Sequence, residues 1–95
     1  MRIAKVIGQV TLNRCHPTLQ GLSLKMAVPL SLAELTSDQT PAGDSIAIVD
    51  QLGAGLGSVI AISESMEAAA PFRPDEKPID AYNAAILDHL DIRPQ

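Results

Sequence analysis

Cys15 is the only thiol in the chain, and His16 and His89 are its only imidazoles. These residue types hold transition metals or pair as nucleophile and base. A three-ligand metal centre would have to gather Cys15, one or both histidines and a carboxylate from separate parts of the chain. Cys15 and His16 are adjacent, and Pro17 keeps His16 extended. Neighbouring side chains on an extended backbone leave on opposite faces, so these two do not readily ligate one ion. No metal site is expected, and His16 reads as a surface-loop residue. A Cys/His nucleophile pair also needs a group to orient the base and a pocket for substrate, and the spacing supplies neither. No catalytic residue and no cofactor are assigned.

The second chemically suggestive segment is Asp50-Gln51-Leu52-Gly53-Ala54-Gly55-Leu56-Gly57, which follows an apolar run. Closely spaced glycines after a strand can cradle phosphate on their N–H groups. Here the glycine spacing departs from the dinucleotide fingerprint, no Lys-Ser/Thr follows as in a P-loop, and the next segment reads as a strand instead of a helix. Gly53, Ala54, Gly55 and Gly57 are therefore read as a structural turn or subunit contact, with freedom for positive φ and close backbone approach. Asp50 stands at the start of that loop, where its carboxylate can accept the loop's N–H groups. The other acids (Glu64, Glu67, Asp75, Glu76, Asp80, Asp88, Asp91) are scattered and read as solvated surface.

Eleven acidic against seven basic residues leave a net charge of −4 with no Lys/Arg cluster, which argues against a phosphate-tracking nucleic-acid surface. A lone cysteine excludes a disulfide-stapled secreted framework and suits a reducing, cytoplasmic compartment. Lys5 interrupts the apolar N-terminal run, and no stretch has the ~20 apolar residues of a membrane span. Ninety-five residues make one domain. Phe72 and Tyr82 are the only aromatics, so the core has to be built from Ile, Val, Leu, Ala and Met, and subunit association would add burial that this chain lacks.

The elements that position these residues are short. Residues 1–12 are a β-branched run with a bulge or bend expected at Gly8. Residues 13–17 form a loop, and 22–30 alternate with a period of two as a half-buried strand that Pro29 ends or marks as an edge. Residues 31–35 suit one helical turn and 36–44 an exposed loop. Two short strands are expected at 45–52 and 57–63, then a short helix at 65–70 with Ser65 as N-cap and Pro71 as its stop. Residues 79–92 fit both periods, and propensity favours helix. Several short strands without βαβ alternation point to a small β-barrel or compact sheet.

Four segments in order, Met1 to Val10, Leu19-Gln20-Gly21-Leu22, Val49 to Val59 around the Gly-Ala-Gly-x-Gly turn, and Pro78-Ile79-Asp80-Ala81, resemble the EutN/CcmL family of bacterial microcompartment vertex proteins. The resemblance runs over nearly the whole chain and implies one domain over residues 1–95. It implies a mainly β, OB-like five-stranded barrel with one or two short helices, assembling as a cyclic pentamer that closes a polyhedral shell beside hexameric tiles. The role implied is structural and non-enzymatic, in the shell of a cytoplasmic microcompartment. Asp50 would brace the turn, Asp80 would cap or anchor the last segment, and that segment would be a turn and then a strand towards Ile92 in place of the helix. Gly55→Val would be expected to disturb the turn, through positive φ or the contact the glycine permits. This chain departs from the family pattern in two places. Ser63-Glu64-Ser65-Met66-Glu67 stands where Gly-Ser-Ser-Ala-Arg is usual, and Asn83 takes a usually apolar place. The competing reading is a free-standing OB-like module for a ligand or oligonucleotide, which would call for exposed aromatics and basic residues. A small enzyme acting through Asp50 or His16 is a third.

Overall fold

The computed structural model describes residues 1–11, 17–19, 21–36, 40–73 and 79–91. Five strands, β1 (Arg2–Val10), β2 (Leu24–Pro29), β3 (Ile46–Val49), β4 (Val59–Glu64) and β5 (Ala81–Ile86), close a barrel in the order β1-β2-β3-β5-β4. Every neighbouring pair is antiparallel except β3 and β5, which are parallel and joined at Val49 and Tyr82. Two one-turn helices, α1 (Leu32–Leu35) and α2 (Met66–Ala69), and 3₁₀ turns at Pro17–Leu19 and Ala70–Phe72 complete the fold.

A barrel of five strands has a narrow interior, and its side chains are correspondingly small. Ile48, Ile60, Ile62 and Val6 fill it, with alanines at positions 4, 27 and 81 where strands come close. The aromatic pair lies outside this core: Phe72 and Tyr82 are half-buried and meet edge to face, with centroids 5.6 Å apart. β1 has to curve to pair with both β2 and β4. It does so with a bulge, because Val6 pairs with Ala27 and Gly8 with Met26, leaving Ile7 as the extra residue.

The local signals at α1 were legible. Ser31 caps it, its Oγ accepting the Glu34 N–H while the Glu34 carboxylate accepts the Ser31 N–H. The other Glu34 oxygen accepts the Ala42 N–H at 2.8 Å and ties down the far end of the following loop. At α2 the structure departs from expectation. Ser65 precedes the helix and its carbonyl accepts the Ala68 N–H at 3.2 Å, but its φ is +59°, left-handed instead of the extended backbone usual at an N-cap. Pro71 sits inside the 3₁₀ turn that continues the helix, since a proline near the start of such a turn forfeits no hydrogen bond.

The propensity reading of residues 79–92 as helix is overturned. Ala81 to Ile86 are strand, paired with β4 along their length and with β3 at Tyr82. Closing the barrel satisfies their backbone groups, and this outweighs the few tenths of a kcal/mol per residue that separate helix propensities. The strand ends at Ile86, short of Ile92, which lies outside the described residues.

Removing side-chain volume from so small an interior leaves a void that the closed sheet relaxes into poorly. Ile60→Ala is expected to lower stability by about 2–5 kcal/mol, read as a reduced urea midpoint with unchanged denaturant slope.

Candidate functional site

Val49 pairs with Leu24 on one side and Tyr82 on the other, which delivers Asp50 to the mouth of the barrel. The Asp50 N–H donates to the Ser23 carbonyl at 2.8 Å, and the residue is 3% exposed. Its carboxylate is fully engaged. Oδ1 accepts the Leu52 N–H and the Asn83 Nδ2, both at 3.0 Å, and Oδ2 accepts the Ala54 N–H at 2.8 Å. An aspartate that accepts from N–H groups two and four residues ahead folds the chain back on itself. The result here is that Ala54 turns into the barrel and becomes part of the core at 1% exposure.

The far end of the loop is fastened to β1. Gly57 N–H donates to the Val6 carbonyl at 2.8 Å, and Val6 N–H to the Ser58 carbonyl at 2.9 Å. Between these anchors Gly53 and Gly57 take φ of +78° and +83°, the left-handed region where a Cβ is strained. Gly55 does not, and a Cβ built on it meets no atom of the subunit within 4 Å. The positive-φ ground for expecting damage from Gly55→Val is thus incorrect: the tight turns fall two residues to either side, at Gly53 and Gly57. The loop presents two leucines outward, Leu52 at 50% and Leu56 at 76% exposure.

Asn83 was not assigned to this site by sequence reasoning, although its polar side chain at a usually apolar place was the available signal. It pairs with Ile62 on the inner face of β5, is fully buried, and gives Asp50 its one side-chain donor. Its Oδ1 is buried and has no hydrogen-bond partner among the described residues. Burial pushes the Asp50 carboxyl up. The hydrogen bonds from Asn83, Leu52 and Ala54, with the positive charge of Lys25, more than offset this and hold it below the usual aspartate range.

The other sequence-selected residues do not converge here. Asp80 is exposed, and its backbone carbonyl accepts the Ser65 N–H at 2.8 Å. Glu64 forms a bidentate pair with Arg2, with Nη2 to Oε2 at 2.9 Å. His89 is exposed, whereas Cys15, His16, Asp75, Glu76 and the Glu67 side chain fall outside the described residues. Among the described residues no three His, Cys, Asp or Glu side chains gather as a metal site. An open groove beside α1 is lined by Arg2, Leu30, Ser31, Glu34, Asp44 and Ile46, among others. Its Arg2 and Glu34 are already committed to Glu64 and to backbone N–H groups. The arrangement at Asp50 is a brace, with both carboxylate oxygens held by the chain's own donors.

Residues 1–88 match the family model described as ethanolamine utilisation protein EutN/carboxysome. The chain is 32% identical over 91 residues to the bacterial microcompartment shell vertex protein GrpN of Rhodospirillum rubrum, covering 96% of this chain and 97% of that protein. It is 33% identical over 91 residues to the vertex protein PduN of Salmonella typhimurium, covering 95% and 98%. Among solved structures, the pentameric GrpN shell protein superposes with a TM-score of 0.79 at 26% identity, over 99% and 100% of the two chains. The pentameric shell protein MSM0273 of the RMM microcompartment does so with 0.80 at 25% identity, over the full length of both.

Two outcomes follow from the brace. Asp50→Ala strands two buried donors, the Ala54 N–H and Asn83 Nδ2, and the part-buried Leu52 N–H, and is expected to cost about 2–3 kcal/mol at neutral pH. Because the folded-state pKa is depressed, the carboxylate's contribution is present above the unfolded value near 4 and is lost as pH falls through the lower folded value. The stability gap between wild type and variant, followed by chemical denaturation against pH, should shrink across that window. Separately, Gly57→Ala should lose about 1–2 kcal/mol by forcing a Cβ into left-handed backbone, while Gly55→Ala leaves subunit stability unchanged; thermal melts of the two variants compare them directly.

Proposed function

We propose that this chain, which belongs to the EutN/CcmL family, is a structural protein that caps the vertices of a bacterial microcompartment shell in the cytoplasm. The observation that carries this reading is the match, over essentially the whole length, to vertex proteins and to pentameric shell proteins of the same barrel. Its ring has five copies joined by one repeated heterologous contact, which closes on itself when the rotation per subunit is right. Hexameric tiles are its neighbours, because flat sixfold sheets need fivefold positions to close. The protein carries no catalytic centre of its own.

The physical character of the subunit agrees with this. A core built from three isoleucines, valines and alanines is thin, and large apolar side chains remain outside it, among them Leu56 and Ile7. The mouth loop is held at both ends, so it offers Leu52 and Leu56 as a pre-formed surface at little ordering cost. Asp50, Gly53, Ala54, Gly55 and Gly57 build that contact to the adjacent copy, and Asp80 anchors the approach to β5 through its carbonyl. The binding-module alternative has little to draw on. The two aromatics pack edge to face on each other, and the chain carries a net charge of −4.

Native mass spectrometry over a range of concentrations is expected to show a discrete species at five times 10.0 kDa; a persistent monomer would overturn the ring. Leu56→Asp should shift the mass towards monomer by tenfold or more, about 1.4 kcal/mol per contact, while leaving the subunit's circular dichroism unchanged.

A further inference from the structure

The geometry points to Asn83 as a positioning residue that acts through Asp50: the two side chains form a latch on the mouth loop, closed while Asp50 is ionised and released by one proton. Asn83 is fully buried, and its amide is used on one side only. Nδ2 donates to Asp50 Oδ1 at 3.0 Å, whereas the buried Oδ1 has no partner among the described residues. A buried amide normally satisfies both ends. An ionised carboxylate has no proton to give, so Asp50 cannot serve that oxygen in its charged state. A protonated carboxyl can. Its hydroxyl, after rotation about the Cβ–Cγ bond, donates to Asn83 Oδ1 while the other oxygen keeps the bond from Nδ2.

The proton comes from solvent, and no covalent bond of the chain breaks. What changes is the acceptor offered to the loop. In the ionised state Oδ2 holds the Ala54 N–H and Oδ1 the Leu52 N–H with charge-assisted bonds, roughly twice as strong as neutral ones. In the protonated state one oxygen has turned to Asn83 and the other is neutral. Ala54 is the residue that this loop inserts into the core, so loosening its N–H frees the segment that carries Leu52 and Leu56. Lys25 on β2 is the charged side chain that acts on Asp50, and it favours the closed state. The loop adds no charge, β4 presents apolar Ile62 opposite Asn83, and on β5 the Tyr82 hydroxyl donates to Gln51. An apolar residue at position 83 would leave Asp50 with the loop bonds alone and, once protonated, with no amide oxygen to turn to.

The consequence for assembly rests on the ring reading, but the latch itself does not, and the two can be tested apart. In uniformly labelled protein, an NMR pH titration follows the Asp50 and Asn83 side-chain carbonyl carbons with the Leu52 and Ala54 amides. All four are expected to move with one midpoint. In Asn83→Leu, where the carboxyl has no amide to turn to, the Leu52 and Ala54 amides should respond more weakly to the Asp50 titration. Asp50→Asn, whose amide can give a hydrogen to Asn83 Oδ1 at any pH, should reproduce the released state at neutral pH, with Ala54 amide protection reduced about tenfold and no pH dependence. An Asn83 carbonyl that ignores the Asp50 midpoint, as when an internal water holds it throughout, overturns the latch, and so does an undiminished Leu52 and Ala54 response in Asn83→Leu. Native mass on the same samples separates the readings: a titrating latch in a monomer supports the latch and removes the ring, whereas a ring without a shared midpoint removes the latch.

Discussion

A single buried carboxylate organises the mouth of this barrel. Asp50 sits where β3 ends, and the chain must still travel back to the start of β4 without pairing directly with either strand. Nine residues make that journey over the open end of a closed sheet. The ionised side chain makes the route definite by accepting two N–H groups of the loop and one from Asn83 of β5. A buried charge is costly unless it is met by donors. Here the requirement runs both ways, since the same bonds that solvate Asp50 also satisfy N–H groups that would otherwise be lost at the barrel end.

The consequences spread from that point. Ala54 is drawn inward as the last piece of the core, and Gly53 and Gly57 supply the left-handed turns on either side of it. The leucines at 52 and 56 are thereby forced outward on a backbone that is anchored at both ends. Exposed apolar side chains on a rigid loop carry little conformational entropy to lose on association. A thin core and a firm, apolar outer surface are two aspects of one design, in which part of the burial normally found inside a domain is available between copies. Closing the sheet has the same effect on how copies can meet. With its strands paired into a barrel, the subunit has little open strand edge to offer, and its exposed apolar side chains are the surface left for contact.

Much of this was legible in the residues themselves. Alternation located β2, β-branched runs located β1, β3 and β4, Gly8 marked the bulge, and the Ser31–Glu34 pair announced α1. These signals are local: each depends on side-chain period, backbone steric limits or a hydrogen bond within one turn. Asp50 next to a glycine-rich loop was readable as a brace for the same reason, since its loop partners lie two and four residues ahead.

The last strand and the Asp50–Asn83 pair were of another kind. Residues 81–86 carry alanines and an asparagine whose own preferences do not favour a strand. They become one because β4, and β3 at Tyr82, offer hydrogen bonds that the barrel cannot leave open. Asn83 meets Asp50 across 33 positions of sequence, and no period or propensity connects them. The sequence by itself determined the short elements, the small-residue core and the braced turn, because those follow from interactions within a few residues. Which strand closes the barrel, which glycines carry the strain, and which side chain completes the buried carboxylate were decided only in the tertiary structure, where distant segments compete to satisfy the same backbone and polar groups.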